Sequence, residues 1–430
     1  MLKNGGRSVK SCGKFGVKSA VGVKPFVWLV WGVVVSKSLL MLSIVIALIG
    51  GYVFGTLQNH HAIELPPSDW AEGIEAAQAW REFSASLEAG GALVVESAPD
   101  VQARHDGLAF IAELASASLE MKLTRGSTTQ PQFTDWMSGY RKFLGDSPDA
   151  LYHSAEVSSE NQYVISGHRG DADYVGLTLY GRHINGWNRV SAHLTHDDIE
   201  FDTQGNFSVS VSVIRPEGAR GNWLAMDKDA HLIMVRQYFH DRDQATKATL
   251  QIENLSAKPK EATEPVSLSG DLRRAAEFFN STLQGTVTLA RMVSHMPNSI
   301  EPPRDYSPDF GGVFYPTPDN EYLGGWYKLE EDEALIVEGA VPNAAYWSVS
   351  LQNRWLQSLD YEKHQTALNH RQIQTEDGQY TVIISSQKPP SGNWLDTAGR
   401  DEGLLAIRYQ RVVESEAPTI RLVKFSNFKL

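Results

Sequence analysis

The sequence predicts a mainly β protein with helices (α+β), in which two duplicated lobes like β-sandwiches or jelly rolls are joined by a helix. Three observations predict this class. A four-residue motif occurs twice, as Gly221–Leu224 and Gly392–Leu395. Strand-like runs surround both copies. The composition, 42% hydrophobic and 21% charged, is that of an ordinary globular chain with room for several cores.

The repeat extends well beyond the motif. Its matched landmarks are Ser147–Asp149 with Thr317–Asp319, Tyr152 with Tyr322, Gly167 with Gly339, Tyr174 with Tyr346, and Gly205 with Gly378. The offset between partners stays between 170 and 173 residues, which leaves no space for different topologies between landmarks. We therefore expect residues 147–260 and 315–430 to form two matching β-rich lobes.

Strand and turn signals support this expectation in both lobes. Phe207–Val213 alternates apolar residues with serine, a pattern that buries one face of a strand. Tyr380–Ile384 is its counterpart. Gln204–Gly205 and Asp377–Gly378 precede these runs, where glycine accepts the positive φ of a hairpin turn. Short strands at this spacing are typical of a sandwich or a barrel.

Helical periodicity predicts two other regions, a helical lead-in over residues 58–146 and a helical linker over residues 261–314. The apolar faces of the lead-in are Trp70, Ile74, Ala77 and Trp80 in one helix, and Leu108, Ile111, Ala115 and Leu119 in a second. We expect the linker helix to run from about Asp271 to His295 and to end before Pro297. The faces of the lead-in helices are expected to be packing surface, and the linker helix is expected to join the two repeats.

The N-terminal region differs from the rest in charge. Residues 1–57 contain seven Lys or Arg and no Asp or Glu, and since the chain carries a net charge of −12, the remainder carries −19. Residues 1–37 predict a basic cytoplasmic tail. Residues 38–57, after Lys37, contain no charge and are long enough for one transmembrane helix at about 1.5 Å per residue. A cleaved signal peptide is the alternative.

The charge pattern also predicts location and partners. Basic residues before the span predict a cytoplasmic N-terminus and a body in the periplasm, anchored to the membrane through the helix. The acidic body argues against nucleic acid as a partner, because phosphates would be repelled. The single cysteine, Cys12, lies in the tail, so we expect a body without disulfides.

Candidate binding residues lie in and after the repeated motif. They are Asn222, Trp223, Arg236 and Tyr238 in the first lobe, and Asn393, Trp394, Arg408 and Tyr409 in the second. In a structural role, the asparagines hold turns and the tryptophans fill the end of each lobe. In a binding role, these residues line a cleft and the arginines hold a carboxylate or another anion. Because both lobes keep the motif, we favour the structural role.

The partners of the two arginines distinguish the structural role from the binding role. Arg236 and Arg408 lie in apolar strand runs, where a guanidinium persists only if it is paired or faces a cleft. The structural role predicts hydrogen bonds to carbonyls or a carboxylate within the same lobe. The binding role predicts a cavity between the lobes and no carboxylate partner.

Signatures of catalysis and metal binding are weak. His193 and His196 are candidate metal ligands three residues apart, but residues three apart on a strand point to opposite faces. The second repeat lacks a matching pair, since His364 and His370 are six apart. The sequence contains no Gly-x-Ser-x-Gly elbow and no cysteine nucleophile outside the tail. We identify no catalytic residue and expect no cofactor.

The segment from Gly378 through Gly392–Leu395 to Ile407–Tyr409 resembles the bacterial domain of unknown function 1214, which is frequently paired with domain 1254. The resemblance covers residues 147–250 and 315–412 and the helical lead-in over 108–123. It implies a β-rich fold of two lobes and supplies no catalytic residues. The basic N-terminal anchor and Asp396–Arg400 depart from the family's pattern.

We therefore expect a membrane-anchored envelope protein whose body faces the periplasm of the bacterial inner membrane. Its expected role is binding or assembly, with a small molecule or an envelope protein as partner. The alternative is an enzyme that acts on a small or lipidic substrate in a pocket between the lobes. A purely structural envelope component is a third possibility.

Overall fold

The computed structural model describes residues 69–71, 73–124, 127–182, 188–218, 221–242, 244–256, 267–301 and 314–427. The basic tail over 1–37 and the predicted span over 38–57 lie outside these ranges. Within them, no helix is both long enough and apolar enough to cross a membrane. Residues 71–430 form one compact unit, which contains every element described below.

The described residues are mainly β with few helices, which confirms the predicted class. The strands of the first half are β1 (Thr134–Asp135), β2 (Ala150–Glu156), β3 (Tyr163–His168), β4 (Tyr174–Arg182), β5 (Asn188–Leu194), β6 (Asn206–Ser212), β7 (Asn222–Ala225), β8 (Leu232–Tyr238) and β9 (Thr249–Asn254). Those of the second half are β10 (Ile300–Glu301), β11 (Asn320–Lys328), β12 (Glu333–Ala340), β13 (Asn343–Gln352), β14 (Ala367–Asn369), β15 (Thr375–Glu376), β16 (Gln379–Ser385), β17 (Asn393–Asp396), β18 (Glu402–Glu414) and β19 (Thr419–Lys424).

The strands pair in the same order in both halves. One sheet of the first half runs β1-β2-β8-β4-β5, and its counterpart runs β10-β11-β18-β13-β14. We call these the central sheets. The other sheet of the first half runs β7-β6-β3-β9, and its counterpart joins β17, β16, β12 and β19 in the same way and adds β15. In both, the strand that carries the Asn-Trp-Leu motif pairs in parallel with its neighbour.

Side-chain alternation gives each central sheet two buried faces. On β8, Ile233 and Val235 pack into an apolar core with side chains of the second sheet of the same half, such as Val209. Met234 and Tyr238 point the other way, into a core that both halves share with the helices. A strand buried on both faces reads as a continuous apolar run, as Leu232–Val235 does.

Three α-helices cover this shared core. They are α1 (Glu75–Ser97), α2 (Val101–Leu119), which continues into a π-helical turn over Glu120–Thr124, and α3 (Leu268–Val293). The side chain of Asp100 caps α2 by accepting a hydrogen bond of 2.7 Å from the amide of Ala103. The observed bounds of the linker helix, α3, lie close to the predicted bounds of Asp271 and His295. The lead-in becomes irregular after Thr124 and contains β1, although a helical region to residue 146 was predicted.

The predicted faces of α1 and α2 are partly wrong. Trp80 and Leu108 are each 49% exposed. Glycines lie on the buried faces instead, because the backbones approach closely there. A Cβ atom on Gly90 would lie 3.0 Å from the side chains of Leu283 and Phe279 on α3. One on Gly107 would lie 2.6 Å from Trp355 of the second half.

Candidate functional site

Two reciprocal hydrogen bonds join the halves. Tyr174, on the central sheet of the first half, donates its hydroxyl hydrogen to Asp319 of the second half at 2.6 Å. Tyr346, at the matching register position, donates to Asp149 of the first half at 2.7 Å. Each aspartate closes the repeated Ser/Thr-Pro-Asp landmark. The two halves thus exchange equivalent contacts, as the subunits of a twofold dimer do.

Arg236 lies between the halves, on β8, and is 5% exposed. Its guanidinium donates to the hydroxyl of Tyr180 at 3.0 Å and to that of Thr178 at 3.4 Å. It also donates to the main-chain carbonyl of Tyr315, which belongs to the second half. We expected partners within one lobe only, so the crossing contact is a finding of the structure.

Arg408 on β18 repeats this arrangement in the opposite direction and is also 5% exposed. Its guanidinium donates to the hydroxyl of Ser350 at 3.4 Å and to the carbonyl of Asp146 at 3.3 Å. The carbonyl of Gly145 accepts a further bond from it. Gly145 and Asp146 belong to the first half, so each arginine holds the segment that leads into the opposite central sheet.

Backbone strain marks the same place. Leu144, Tyr315 and Leu356 have φ values of 54°, 48° and 57°, in the left-handed region that side chains with a Cβ rarely adopt. Such a conformation costs on the order of 1 kcal/mol per residue and persists only where the surroundings enforce it. At Tyr315 it accompanies the turn of the carbonyl towards Arg236. These strained residues all line one cavity.

This cavity, which we call the inner cavity, has a volume of about 120 Å³ and lies between the halves. Both guanidiniums line it, and much of its remaining wall is apolar. The apolar wall includes Leu144, Met234, Val293, Leu356, Leu404 and Ala406. Among the described residues, neither guanidinium forms an ion pair. Nearby carboxylates instead accept from neutral donors: Asp146 accepts from Ser358, and Asp149 and Asp319 accept from the tyrosines above.

Tyrosine hydroxyls complete the polar part of the inner cavity. Burial raises the pKa of both Tyr152 and Tyr238, so these phenols stay protonated at neutral pH. The hydroxyl of Tyr152 accepts from the amide of Ser147 at 3.0 Å, and that of Tyr238 accepts from Asn320 at 3.1 Å. Among the described residues, neither hydroxyl hydrogen has an acceptor. The cavity therefore presents donors and apolar surface, together with one acceptor, the amide oxygen of Gln352, which has no partner among the described residues. Donors beside apolar surface suit an anion that carries an apolar part.

A second cavity, the outer cavity, adjoins the first and has a volume of about 470 Å³. The two share Trp136, Leu289, Phe314 and Tyr315 as lining residues. Exposed residues of α3 such as Ser281 and Gln284 form part of its wall, so this cavity reaches the surface. The rings of Trp136 and Tyr315, which meet edge to face, belong to the walls of both cavities.

The motif asparagines lie away from both cavities and act on strands. Asn222 accepts from the amide of Glu200 at 2.8 Å and donates to the carbonyls of Glu200 and Ser208. Asn393 makes the equivalent three bonds, accepting from Gln374 at 2.7 Å and donating to the carbonyls of Gln374 and Thr381. Each side chain thereby satisfies main-chain groups that the sheet leaves unpaired.

The motif tryptophans are half-buried on the second sheet of each half. The indole of Trp223 donates to Ser212 at 3.1 Å, and that of Trp394 donates to Ser385 at 3.1 Å. A basic side chain covers each ring, Arg215 at 5.8 Å in the first half and Lys388 at 5.8 Å in the second. Neither tryptophan lines a cavity among those described.

Tyr238 and Tyr409, the candidate tyrosines of the two lobes, do not occupy equivalent positions. Tyr238 lies on the same face of β8 as Arg236 and lines the inner cavity. Tyr409 follows Arg408 directly, so it points to the opposite face, into the core of its own half, where its hydroxyl lies 3.3 Å from that of Tyr380. The strand register places Gln410 at the position equivalent to Tyr238.

The candidate metal ligands do not lie on a metal cluster. His193 lies on β5, with its Nε2 atom 3.9 Å from Asp319. His196 lies in a 3₁₀ turn over His196–Asp198 and accepts from the amide of Val175 at 3.3 Å. His370 accepts from Trp347 in the same way, so it is the counterpart of His196 that the sequence spacing concealed. In the described ranges, no three His, Cys, Asp or Glu residues group as a metal site.

Sequence reasoning missed most of the cavity. It singled out Arg236, Arg408 and Tyr238, but it assigned no role to Tyr152 or Tyr315, which line the cavity, or to Tyr180, which accepts a hydrogen bond from Arg236. A signal existed for part of this set, because the Ser/Thr-Pro-Asp landmarks and the tyrosine three residues after each are duplicated. Their contacts across the halves follow from the packing of two distant segments, which no local pattern records.

Part of this site lies in a segment that matches a family model. Residues 314–411 match the model of a protein of unknown function, DUF1214. The DUF1214 segment contains Arg408, Asp319, Tyr346 and Tyr315, whereas Arg236 and Asp149 lie before it. The pairing with domain 1254 stays a prediction. None of the curated proteins matches this chain.

Solved structures extend the similarity beyond the DUF1214 segment. A crystal structure of an uncharacterised protein from Burkholderia cenocepacia has 29% sequence identity and a TM-score of 0.77. The alignment covers 82% of this chain and 98% of that one, so the two proteins share most of their fold. A protein from Vibrio parahaemolyticus has 15% identity and a TM-score of 0.41, over 73% of this chain and 96% of its own.

Proposed function

We propose that this protein binds a small organic anion in the inner cavity, with its charged group on the arginines and its apolar part against the surrounding side chains. One observation carries the proposal. Arg236 and Arg408 are both buried, both line one largely apolar cavity, and neither forms an ion pair among the described residues. Arginine does not lose its proton in proteins, so both charges are retained.

The energetics support an anionic ligand. Removing an ion from water costs several kcal/mol even after relaxation, and neutral hydrogen bonds offset only part of that cost. Each guanidinium has five N–H donors and makes three hydrogen bonds, two of them at 3.3 Å or longer in the case of Arg408. In each arginine Nη2 makes two of these bonds and Nη1 makes one, so the Nε hydrogen and one Nη1 hydrogen remain as donors for an anion.

Thermal denaturation of the purified chain with a series of short organic acids tests the proposal. A ligand at about 100 times its dissociation constant stabilises the folded state by about 2.7 kcal/mol, which appears as a higher Tm. We expect Arg236→Gln and Arg408→Gln each to abolish the shift. Arg421→Gln is the matched control, because Arg421 forms an exposed ion pair with Glu338 at 3.2 Å. Failure of every organic acid to raise the Tm of the unaltered chain contradicts the proposal.

We also propose that the protein is tethered to a membrane with its body in the periplasm. The support is the charge asymmetry of the sequence and the uncharged run over 38–57. A reporter that is active only in the periplasm, fused after Leu430, should be active, and the protein should remain with the membrane after a salt wash. Activity of a cytoplasmic reporter at the same position argues against this topology.

A further inference from the structure

We infer that the ligand of the inner cavity is a dianion, a short dicarboxylate with one carboxylate on Arg236 and the other on Arg408. This inference rests on the proposed function and specifies the class of ligand. It follows from the repetition of the arginine site within one cavity, from the charge of that site and from its size.

The first argument is geometric. Arg236 and Arg408 occupy matching positions on opposite central sheets, and the inner cavity lies between them. Each has its own set of acceptors, a hydroxyl of its own sheet and a carbonyl of the opposite half. The cavity thus contains two equivalent cationic positions, one contributed by each half. A ligand that uses both needs an anionic group at each end.

The second argument is charge balance. A monocarboxylate neutralises one guanidinium and leaves the other buried without a counterion, which is a costly arrangement. A dicarboxylate neutralises both. The hydroxyl hydrogens of Tyr152 and Tyr238 add neutral donors to the same wall, and the pKa of each is raised by burial, so these groups bring no competing negative charge.

The third argument concerns the body of the ligand. Apart from the arginines and the tyrosines, much of the wall is formed by apolar side chains such as Met234, Leu404 and Ala406. Such side chains can pack against the hydrocarbon spacer of a dicarboxylate. The volume of about 120 Å³ holds roughly eight to twelve water-sized groups at about 10–15 Å³ each. A saturated dicarboxylate of about four to six carbons falls in this range.

Calorimetric titration of the full chain at pH 8 with succinate, glutarate and adipate tests the inference, with butyrate, valerate and hexanoate as monocarboxylates of matched length. Loss of a hydrogen-bonded charge pair weakens binding by about 10-fold or more. We therefore expect each dicarboxylate that fits to bind at least 10-fold more tightly than its matched monocarboxylate. In Arg236→Gln and in Arg408→Gln that preference should disappear, whereas Arg421→Gln should keep it.

The outcomes distinguish this inference from the proposed function. Equal affinity of mono- and dicarboxylates overturns the dianion inference and leaves the proposed function standing. Binding of neither class overturns both. Because the main comparison uses two ligands on the unaltered chain, it does not depend on whether the arginine variants fold. The variants add the assignment to residues, and loss of the preference in only one of them contradicts the placement of one carboxylate on each arginine.

Discussion

The reciprocal tyrosine–aspartate bonds make a quantitative prediction about how the halves are held together. Tyr346→Phe removes a hydrogen bond of 2.7 Å to Asp149, and Tyr174→Phe removes one of 2.6 Å to Asp319. A hydrogen bond to a charged group contributes about 1.5–3 kcal/mol. We expect each variant to lower the free energy of unfolding by that amount.

The double variant is expected to lose about 3–6 kcal/mol if the two effects add. Both rings contact that of Tyr238, at 5.7 Å from Tyr174 and 5.3 Å from Tyr346, so a modest coupling between the effects is expected. The comparison isolates hydroxyl groups, since phenylalanine keeps the ring and its packing. It therefore measures the hydrogen bonds that cross between the halves.

Urea denaturation at pH 8, followed by tryptophan fluorescence, is the assay, with the slope of the transition checked to be unchanged. Tyr380→Phe is the control, because its hydroxyl meets that of Tyr409 at 3.3 Å within one half. That neutral bond contributes about 0.5–1.5 kcal/mol. If Tyr174→Phe and Tyr346→Phe cost no more than Tyr380→Phe, the crossing bonds do not stabilise the contact between the halves and the reasoning is refuted.

Three further predictions follow from burial and close packing. Gly107→Ala is expected to destabilise the protein by about 1–3 kcal/mol because its methyl group would overlap Trp355. A Cβ atom on Gly91 would meet only Leu108, at 3.9 Å, so Gly91→Ala should be neutral or stabilise by about 0.5–1 kcal/mol. Thermal denaturation compares the two variants. Burial raises the pKa of Asp149, so the folded state keeps this proton to a higher pH than the unfolded state does. The free energy of unfolding therefore falls as pH rises from the unfolded pKa through the folded pKa. Asp149→Asn should reduce this fall in urea titrations from pH 4 to 8. Burial lowers the pKa of His231 to about 4, so the free energy of unfolding should fall as pH decreases from about 6.5 towards 4. His231→Gln should lessen that fall. An equal fall in the variant contradicts the assignment of this pH dependence to His231.

Local sequence patterns predicted the positions of the helices and strands better than they predicted which side chains the helices bury. The alternation in Phe207–Val213 and the apolar run Leu232–Val235 both correspond to strands, and the linker helix lies within a few residues of its predicted position. The helix faces were misassigned because hydrophobicity favours large side chains such as Trp80. Close helix packing uses glycine, which carries no hydrophobic signal.

The site was predictable only in part, because some of its contacts join segments that are far apart in the sequence. Arg236 and Arg408 attract attention because a charge inside an apolar strand needs an explanation, and that explanation is local. Their carbonyl partners at Tyr315 and Gly145 lie across the contact between the halves. Tyr409 was a candidate because it is adjacent to Arg408 in the sequence, but adjacent side chains of a strand point to opposite faces.

The exchange of equivalent contacts on a single chain has a consequence for specificity. A symmetric homodimer must present the same residue on both sides of its axis, so a ligand bound on that axis meets identical ends. Here the register pairs Tyr180 with Gln352 and Tyr238 with Gln410, at positions around the two arginines. Because both halves belong to one chain, the two residues of each pair need not be identical. Tyr238 and Gln352 line the inner cavity, whereas their counterparts Gln410 and Tyr180 do not, so the two ends of the cavity differ where those of a twofold site are identical.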